Sequence, residues 1–125
     1  QKVVLFLGVS YRGDIGDTRF TPVEYLVNLI KDQGARIILH DPFVSFWEEQ
    51  GSTIESNLDS TLKLNPDLVI ISAGHSIYKD QETLNKLLKI APTKIFDTIG
   101  LLNEEQLSKL QSKHEISVLG RGDIS

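Results

Sequence analysis

Cysteine is absent from the sequence, which excludes disulfides, thiolate metal sites and a cysteine nucleophile. Methionine is absent as well. A natural full-length product begins with methionine, and removal of that residue favours a small residue next, which Gln1 is not. Because a strand pattern also starts almost at the first residue, the chain reads as an excerpt of a longer one. No apolar run approaches the length needed to span a bilayer, and Gln1-Lys2-Val3-Val4 has neither the length nor the cleavage site of a signal peptide. The expected setting is therefore cytoplasmic. A net charge of -4 gives no reason to expect nucleic acid or an anionic membrane as partner. What remains is one domain's length, 125 residues, with 40% hydrophobic content from which to build a core.

The apolar residues that are present are patterned. Val3-Val4-Leu5-Phe6-Leu7 is a continuous run ended by Gly8, the signature of a strand buried on both faces. A polar loop from Ser10 to Arg19 follows. Thr21, Pro22 and Glu24 read as a capping box with proline at the first helical position, flanked by Phe20 and Tyr25 as a hydrophobic staple. Val23, Leu26, Val27 and Ile30 form one apolar stripe, and Gly34 stops the helix. Further strands are predicted at Arg36–His40, Leu68–Ile71, Lys94–Asp97 and Ile116–Leu119. Helices are predicted from Leu58 to Leu64, from Gln81 to Ala91, and from an Asn103/Gln106 capping pair to Lys113. The stretch from Val44 to Gly51 reads as a short helix or packed loop. Strands separated by crossover-length segments imply an α/β fold, one doubly wound three-layer domain with a parallel sheet over residues 1–125.

Ligands of such sheets bind at the carboxyl ends of the strands, where strand order reverses. That rule selects Gly8 to Arg19, His40 to Pro42, Ala73 to Ser76 and Asp97 to Gly100. The first segment sets Tyr11, Arg12 and Arg19 near a helix start, a combination suited to a phosphate or pyrophosphate. The alternative is that Arg12 and Arg19 simply pair with Asp14 and Asp17 on a solvated loop. Gly8-Val9-Ser10-Tyr11-Arg12-Gly13 lacks two glycines of the dinucleotide fingerprint, and Gly-Lys-Ser/Thr is absent. NAD or ATP is therefore not expected to bind here in the usual way. Asp41 is either a ribose contact or a turn opener before Pro42, and His75 either a ligand contact or a loop cap. Trp47 with Phe43 and Phe46 reads as a base-stacking group or a satellite core. His40, His75 and His114 have no metal-site spacing. Arg121-Gly122-Asp123 spells an adhesion tripeptide, which without a secretion signal is read as chance.

The stretch from Gly8 to Pro22 resembles the opening of the C-terminal domain of the UDP-glucose and UDP-N-acetylhexosamine dehydrogenases. In that family a strand-ending glycine leads to an aromatic-lysine pair, then Asp-x-Arg, then Glu-Ser-Pro at a helix start. Here these are Tyr11-Arg12, Asp17-Thr18-Arg19 and Phe20-Thr21-Pro22. Gly34-Ala35, His40-Asp41-Pro42, Asp67-Leu68-Val69-Ile70 and Phe96-Asp97 extend the similarity to Gly120. The resemblance implies a Rossmann-like five-stranded parallel sheet in the order 3-2-1-4-5. It also implies a part of an NAD-dependent UDP-sugar dehydrogenase that oxidises the sugar C6 alcohol to a carboxylate for polysaccharide precursors. The catalytic cysteine and the NAD fingerprint would lie in the N-terminal and central domains of the same enzyme, so this portion alone is expected to be inactive. Tyr11 and Arg12 would touch the UDP-sugar, and Arg19 would reach the NAD; the full-length enzyme is expected to be a homo-oligomer.

Three positions depart from the pattern. Arg12 replaces lysine, Phe20-Thr21 replaces Glu-Ser, and Thr98-Ile99-Gly100 stands where many members present a cation to the substrate. Gly74-His75 and Gly120-Arg121-Gly122 look closer to the N-acetylhexosamine branch. A stand-alone nucleotide-sugar-binding module is the alternative. A receiver domain is discounted, because strand one ends in Leu7-Gly8 where an acidic cluster is needed, and strand three runs into Ser72-Ala73-Gly74 where a phosphorylatable aspartate is needed.

Overall fold

The computed structural model describes residues 1–19, 21–119 and 122–123. Five parallel strands, β1 (Val3–Leu7), β2 (Arg36–His40), β5 (Leu68–Ile71), β6 (Lys94–Asp97) and β7 (Glu115–Val118), lie side by side in the order β2-β1-β5-β6-β7. A short antiparallel strand, β8 (Gly122–Asp123), extends the sheet beyond β7. The remaining strands, β3 (Phe46–Trp47) and β4 (Ser52–Thr53), form a separate hairpin. Strand alternation sorts the core into two layers. Val4, Phe6, Leu39 and Ile70 pack against α1 (Val23–Asp32) and the hairpin, with Trp47 fully buried between them. Leu5, Leu7, Val69, Ile71, Ile95, Ile116 and Val118 face α2 (Leu58–Leu62), α3 (Gln81–Lys89) and α4 (Glu104–Gln111).

The parallel five-stranded sheet and its helices match the expectation; the strand order does not. Counted along the five parallel strands the order is 2-1-3-4-5, not 3-2-1-4-5. The burial of each strand explains this. On β2 Arg36 is exposed and Ile37 and Ile38 are half-buried, as suits an edge, whereas Val69, Ile70 and Ile71 of β5 are buried on both faces. The continuous apolar strand takes the inner place beside β1. Order consequently reverses between β1 and β5, and their following loops diverge around a crevice.

Local details also differ at the start of α1. Its N-cap is Pro22, and no side chain caps it. Thr21 Oγ1 reaches only the Val23 N–H, at 3.4 Å, and the Glu24 carboxylate instead accepts from Gln50 Nε2 at 3.2 Å. Gln50 also donates to Asn28 Oδ1 and accepts from Lys31 Nζ. The hairpin, unforeseen in the stretch read as a helix or loop, thus docks on α1 and takes the carboxylate that the capping box required. Tyr25 is exposed, and its proposed staple partner Phe20 lies outside the described residues, as do Gly120 and Arg121. The Asn103/Gln106 capping box of α4 forms as expected, with both of its reciprocal bonds.

His114 closes the far end of the fold. Its Nε2–H donates to Leu87 O at 2.7 Å and its Nδ1 accepts from the Thr93 N–H at 3.1 Å, tying α3 and β6 to the approach of β7. Burial lowers its pKa, and it does the same to His40. A depressed histidine pKa means that the unfolded chain binds more protons in mild acid, so stability rises with pH. This contribution is complete above the unfolded value of about 6.5 and is lost as pH falls through the lower folded value. We expect the thermal midpoint to drop between pH 7 and pH 5, and His114→Gln to flatten that dependence. Calorimetric scans across this interval check it; identical slopes in the two proteins would remove His114 from the account.

Candidate functional site

The carboxyl ends of β1, β2, β5 and β6 carry the segments that follow them onto one edge of the sheet. Two close approaches join the loops after β1 and β5. Gly8 holds φ +103°, and a Cβ there would overlap Ala73. A Cβ on Gly13 would run into the carbonyl oxygen of Gly74. Any larger residue at either position pushes these loops apart.

Asp41, at the end of β2, is fully buried. Its Oδ2 accepts from the Val9 N–H at 3.0 Å, Ser10 Oγ at 3.0 Å and His75 Nε2 at 2.8 Å. Oδ1 accepts from the Phe43 N–H at 2.8 Å. Burial pushes the carboxyl upward, but the His75, Phe43 and Val9 donors outweigh it and hold its pKa below the usual carboxylate range. Asp41 is therefore more than a turn opener. His75 is fully buried too, and its hydrogen bonds fix its tautomer. The Asp14 N–H can only donate, and it does so to Nδ1 at 2.7 Å, so the ring proton sits on Nε2 and points at Asp41. Asp14, at φ +59°, completes the clamp by accepting from the Ser76 N–H at 2.8 Å and Ser76 Oγ at 2.6 Å. These bonds lower its pKa.

Tyr11, Arg12, Ile15, Asp17 and Arg19 line an open cleft of about 570 Å³ on this edge. Of the loop pairings weighed above, the one between Arg19 and Asp17 forms and the one between Arg12 and Asp14 does not. Arg19 is bound by Asp17, with Nε at 3.1 Å and Nη2 at 3.2 Å, although its own side chain is 76% exposed. Asp14 does not pair with Arg12; its carboxylate accepts from Ser76 instead. Arg12 makes no hydrogen bond or ion pair among the described residues. The start of α1 does not line the cleft, so its arginines rather than a helix N-terminus supply the positive charge. A second cleft, of about 680 Å³, opens at the opposite end of the strands around Lys2, Gly34 and Asp67, away from these loops.

The other candidates divide between core and rim. Trp47 is buried, its indole N–H without a hydrogen-bond partner among the described residues, whereas Phe43 and Phe46 are half-exposed. Phe43 lies against the His75 ring at 4.9 Å. His40 bonds Tyr78 Oη and Ser56 O, so each of the three histidines has both ring nitrogens engaged within the chain. Asp97, buried at the end of β6, accepts from the amides of Ile99, Leu101 and Leu102, leaving the Ile99 side chain 47% exposed beside Gly74.

Sequence reasoning placed Asp14, Ser76 and Asp97 in the selected segments but missed the roles they play. Only Asp14 carried a signal, an aspartate inside Gly13-Asp14-Ile15-Gly16, where a left-handed residue is easily housed. Because Asp41 serves four donors at once, Asp41→Asn sets an amide donor against donors, and we expect a loss of about 3 kcal/mol. Urea unfolding of the two proteins measures it, and a loss under a third of that would mean the loop tolerates the exchange.

The fold and the site now have a context among known proteins. The family described as the UDP-glucose/GDP-mannose dehydrogenase family, UDP binding domain, matches residues 5–104. A UDP-N-acetyl-D-mannosamine dehydrogenase of Methanocaldococcus jannaschii is 30% identical over 124 residues. That alignment covers 97% of this chain but 27% of the relative. A crystal structure of an NDP-N-acetyl-D-galactosaminuronic acid dehydrogenase from Methanosarcina mazei superimposes with a TM-score of 0.78 at 27% identity. It covers 97% of this chain and 25% of that one. The UDP-D-ManNAc dehydrogenase structure from Pyrococcus horikoshii, at 20% identity and a TM-score of 0.75, shares the fold over 99% of this chain and 27% of its own. With a match that runs from β1 to the start of α4, the chain belongs to the UDP-binding domain of the UDP-glucose/GDP-mannose dehydrogenase family.

Proposed function

We propose that this chain is the UDP-sugar-binding C-terminal domain of an NAD-dependent nucleotide-sugar 6-dehydrogenase, with the loop after β1 as its ligand contact. One observation carries the reading. Arg12 makes no hydrogen bond or ion pair among the described residues, with Asp17 its electrostatic neighbour, on an open cleft at the strand-order reversal, while Val9 and Asp14 of the loop are hydrogen-bonded into place. A guanidinium whose backbone is already fixed loses little freedom on meeting a diphosphate. Tyr11, 56% exposed on the same cleft, would pack on the nucleotide or sugar. The names of the relatives favour an N-acetylhexosamine as the sugar.

NAD would be held chiefly elsewhere in a longer enzyme. The amides of Gly8, Val9, Tyr11 and Asp14 are engaged by His40 O, Asp41, Asp17 O and His75, which takes these four N–H groups away from a dinucleotide pyrophosphate. Arg19 alone would reach that cofactor, from the rim. Half-exposed Ile15, Phe43, Phe46 and Ile99 surround the site and suit contact with the other domains of a cytoplasmic, homo-oligomeric enzyme. Without a cysteine, the 125-residue domain would bind but not oxidise.

Titrating UDP into the chain tests the reading. Arg12→Ala should weaken binding by roughly ten- to a hundredfold, the loss of a charge-assisted hydrogen bond, and Arg19→Ala should leave it near the parent's. Equal affinities in all three proteins would return Arg12 to the solvent. The same titration addresses the departure at Ile99, which is half-exposed beside Gly74. Ile99→Arg should tighten UDP binding by about 1 kcal/mol at low salt and lose that gain at high salt. Unchanged or weaker binding would mean that another cation already serves this position.

A further inference from the structure

We infer that His75 is a positioning residue for the nucleotide-sugar loop, acting through the Asp14 amide and not by touching ligand; this rests on the reading of Arg12 just given. Both ring nitrogens are engaged, Nε2 with Asp41 and Nδ1 with the Asp14 N–H, and the ring is fully buried. No ring atom is left to move a proton or to meet a ligand. Phe43 and Tyr78 hold the ring plane at centroid distances of 4.9 and 5.6 Å. The ring is therefore a rigid spacer between two structural fixtures.

What it spaces is the loop that carries Tyr11 and Arg12. On the upstream side, Asp41 grips Val9 and Ser10. On the downstream side, His75 and Ser76 grip Asp14, and Gly13 is pressed against Gly74. Tyr11 and Arg12 lie between these two clamps, with the Tyr11 N–H donating to Asp17 O. The upstream clamp survives without His75, because it belongs to Asp41. The downstream clamp loses the side-chain acceptor of the Asp14 amide, and the left-handed conformation at that residue loses a support. His75 thus divides into two separable functions, a donor that serves the buried carboxylate and an acceptor that sets the loop.

Two amide side chains separate them, since asparagine presents an acceptor near the place of Nδ1 and glutamine a donor near the place of Nε2. His75→Asn should keep UDP affinity within about threefold of the parent while lowering the urea midpoint, because Asp41 loses a donor. His75→Gln should keep the midpoint nearer the parent's but weaken UDP binding about tenfold. Hydrogen exchange of the amides from Val9 to Asp17, measured without UDP, reads the positioning alone, and exchange should quicken more in His75→Gln than in His75→Asn. Affinity and stability falling in parallel in both variants would reduce His75 to a structural core residue and overturn the inference. So would loop exchange that ranks the variants the other way or does not distinguish them. If the parent fails to bind UDP at all, the ligand reading falls, and the exchange ranking still decides whether His75 positions the loop.

Discussion

The carboxyl edge of this domain is organised around one buried negative charge. A carboxylate can accept about four hydrogen bonds, and Asp41 uses that capacity on donors from three places: the loop after β1, the turn after β2 and the ring of His75. Taking a carboxylate out of water is costly unless it is satisfied in this way. The cost works as a constraint, since moving the loop away from Asp41 strands a charge in the interior. The loop after β1 has no secondary structure of its own, and its amides need partners. Asp41 and, through His75, the Asp14 site provide them.

Asp97 solves a related problem at the end of β6, with a different reach. It folds back on its own following turn, accepting from Ile99, Leu101 and Leu102 just ahead of α4. Asp41 reaches sideways to a neighbouring strand's loop, so it couples two parts of the edge, whereas Asp97 stabilises one. The Asp14 carboxylate, engaged with Ser76, couples the loop after β1 to the loop after β5 from the solvent side. The crevice between β1 and β5 is in consequence bridged at several points, and the strand-order reversal that opens it does not leave its loops slack.

Much of the fold was legible because buried parallel strands are near-continuous apolar runs and helices carry a stripe. Val3–Leu7 could be read as an inner strand from composition alone, Leu68–Ile71 as a strand though not as an inner one, and the Asn103/Gln106 box marked α4. Strand order was less accessible. It depends on which side of β1 the chain crosses after β2, and the exposed Arg36 on β2 was the local hint that β2 stays at the edge. The capping box at Thr21 failed for a tertiary reason: Glu24 is claimed by Gln50, from a hairpin that two-residue strands scarcely announce.

The site was legible in its parts but not in its wiring. Arg12 and Arg19 look alike in sequence, each near an aspartate, yet one is paired and the other is not. The difference lies at Asp17, which both arginines influence electrostatically but whose carboxylate is hydrogen-bonded by Arg19 alone. That competition is chemically sensible for a domain that must meet an anion. An arginine already paired to a carboxylate must break that pair before it can bind a phosphate, whereas Arg12, whose neighbouring Asp17 is hydrogen-bonded to Arg19, meets the ligand without that cost. Arg19, held by Asp17, is the cation suited to the rim. Arg12, between two clamped stretches of backbone, is the one left available, and the buried Asp41–His75 pair that no short motif reveals is what keeps its surroundings in place.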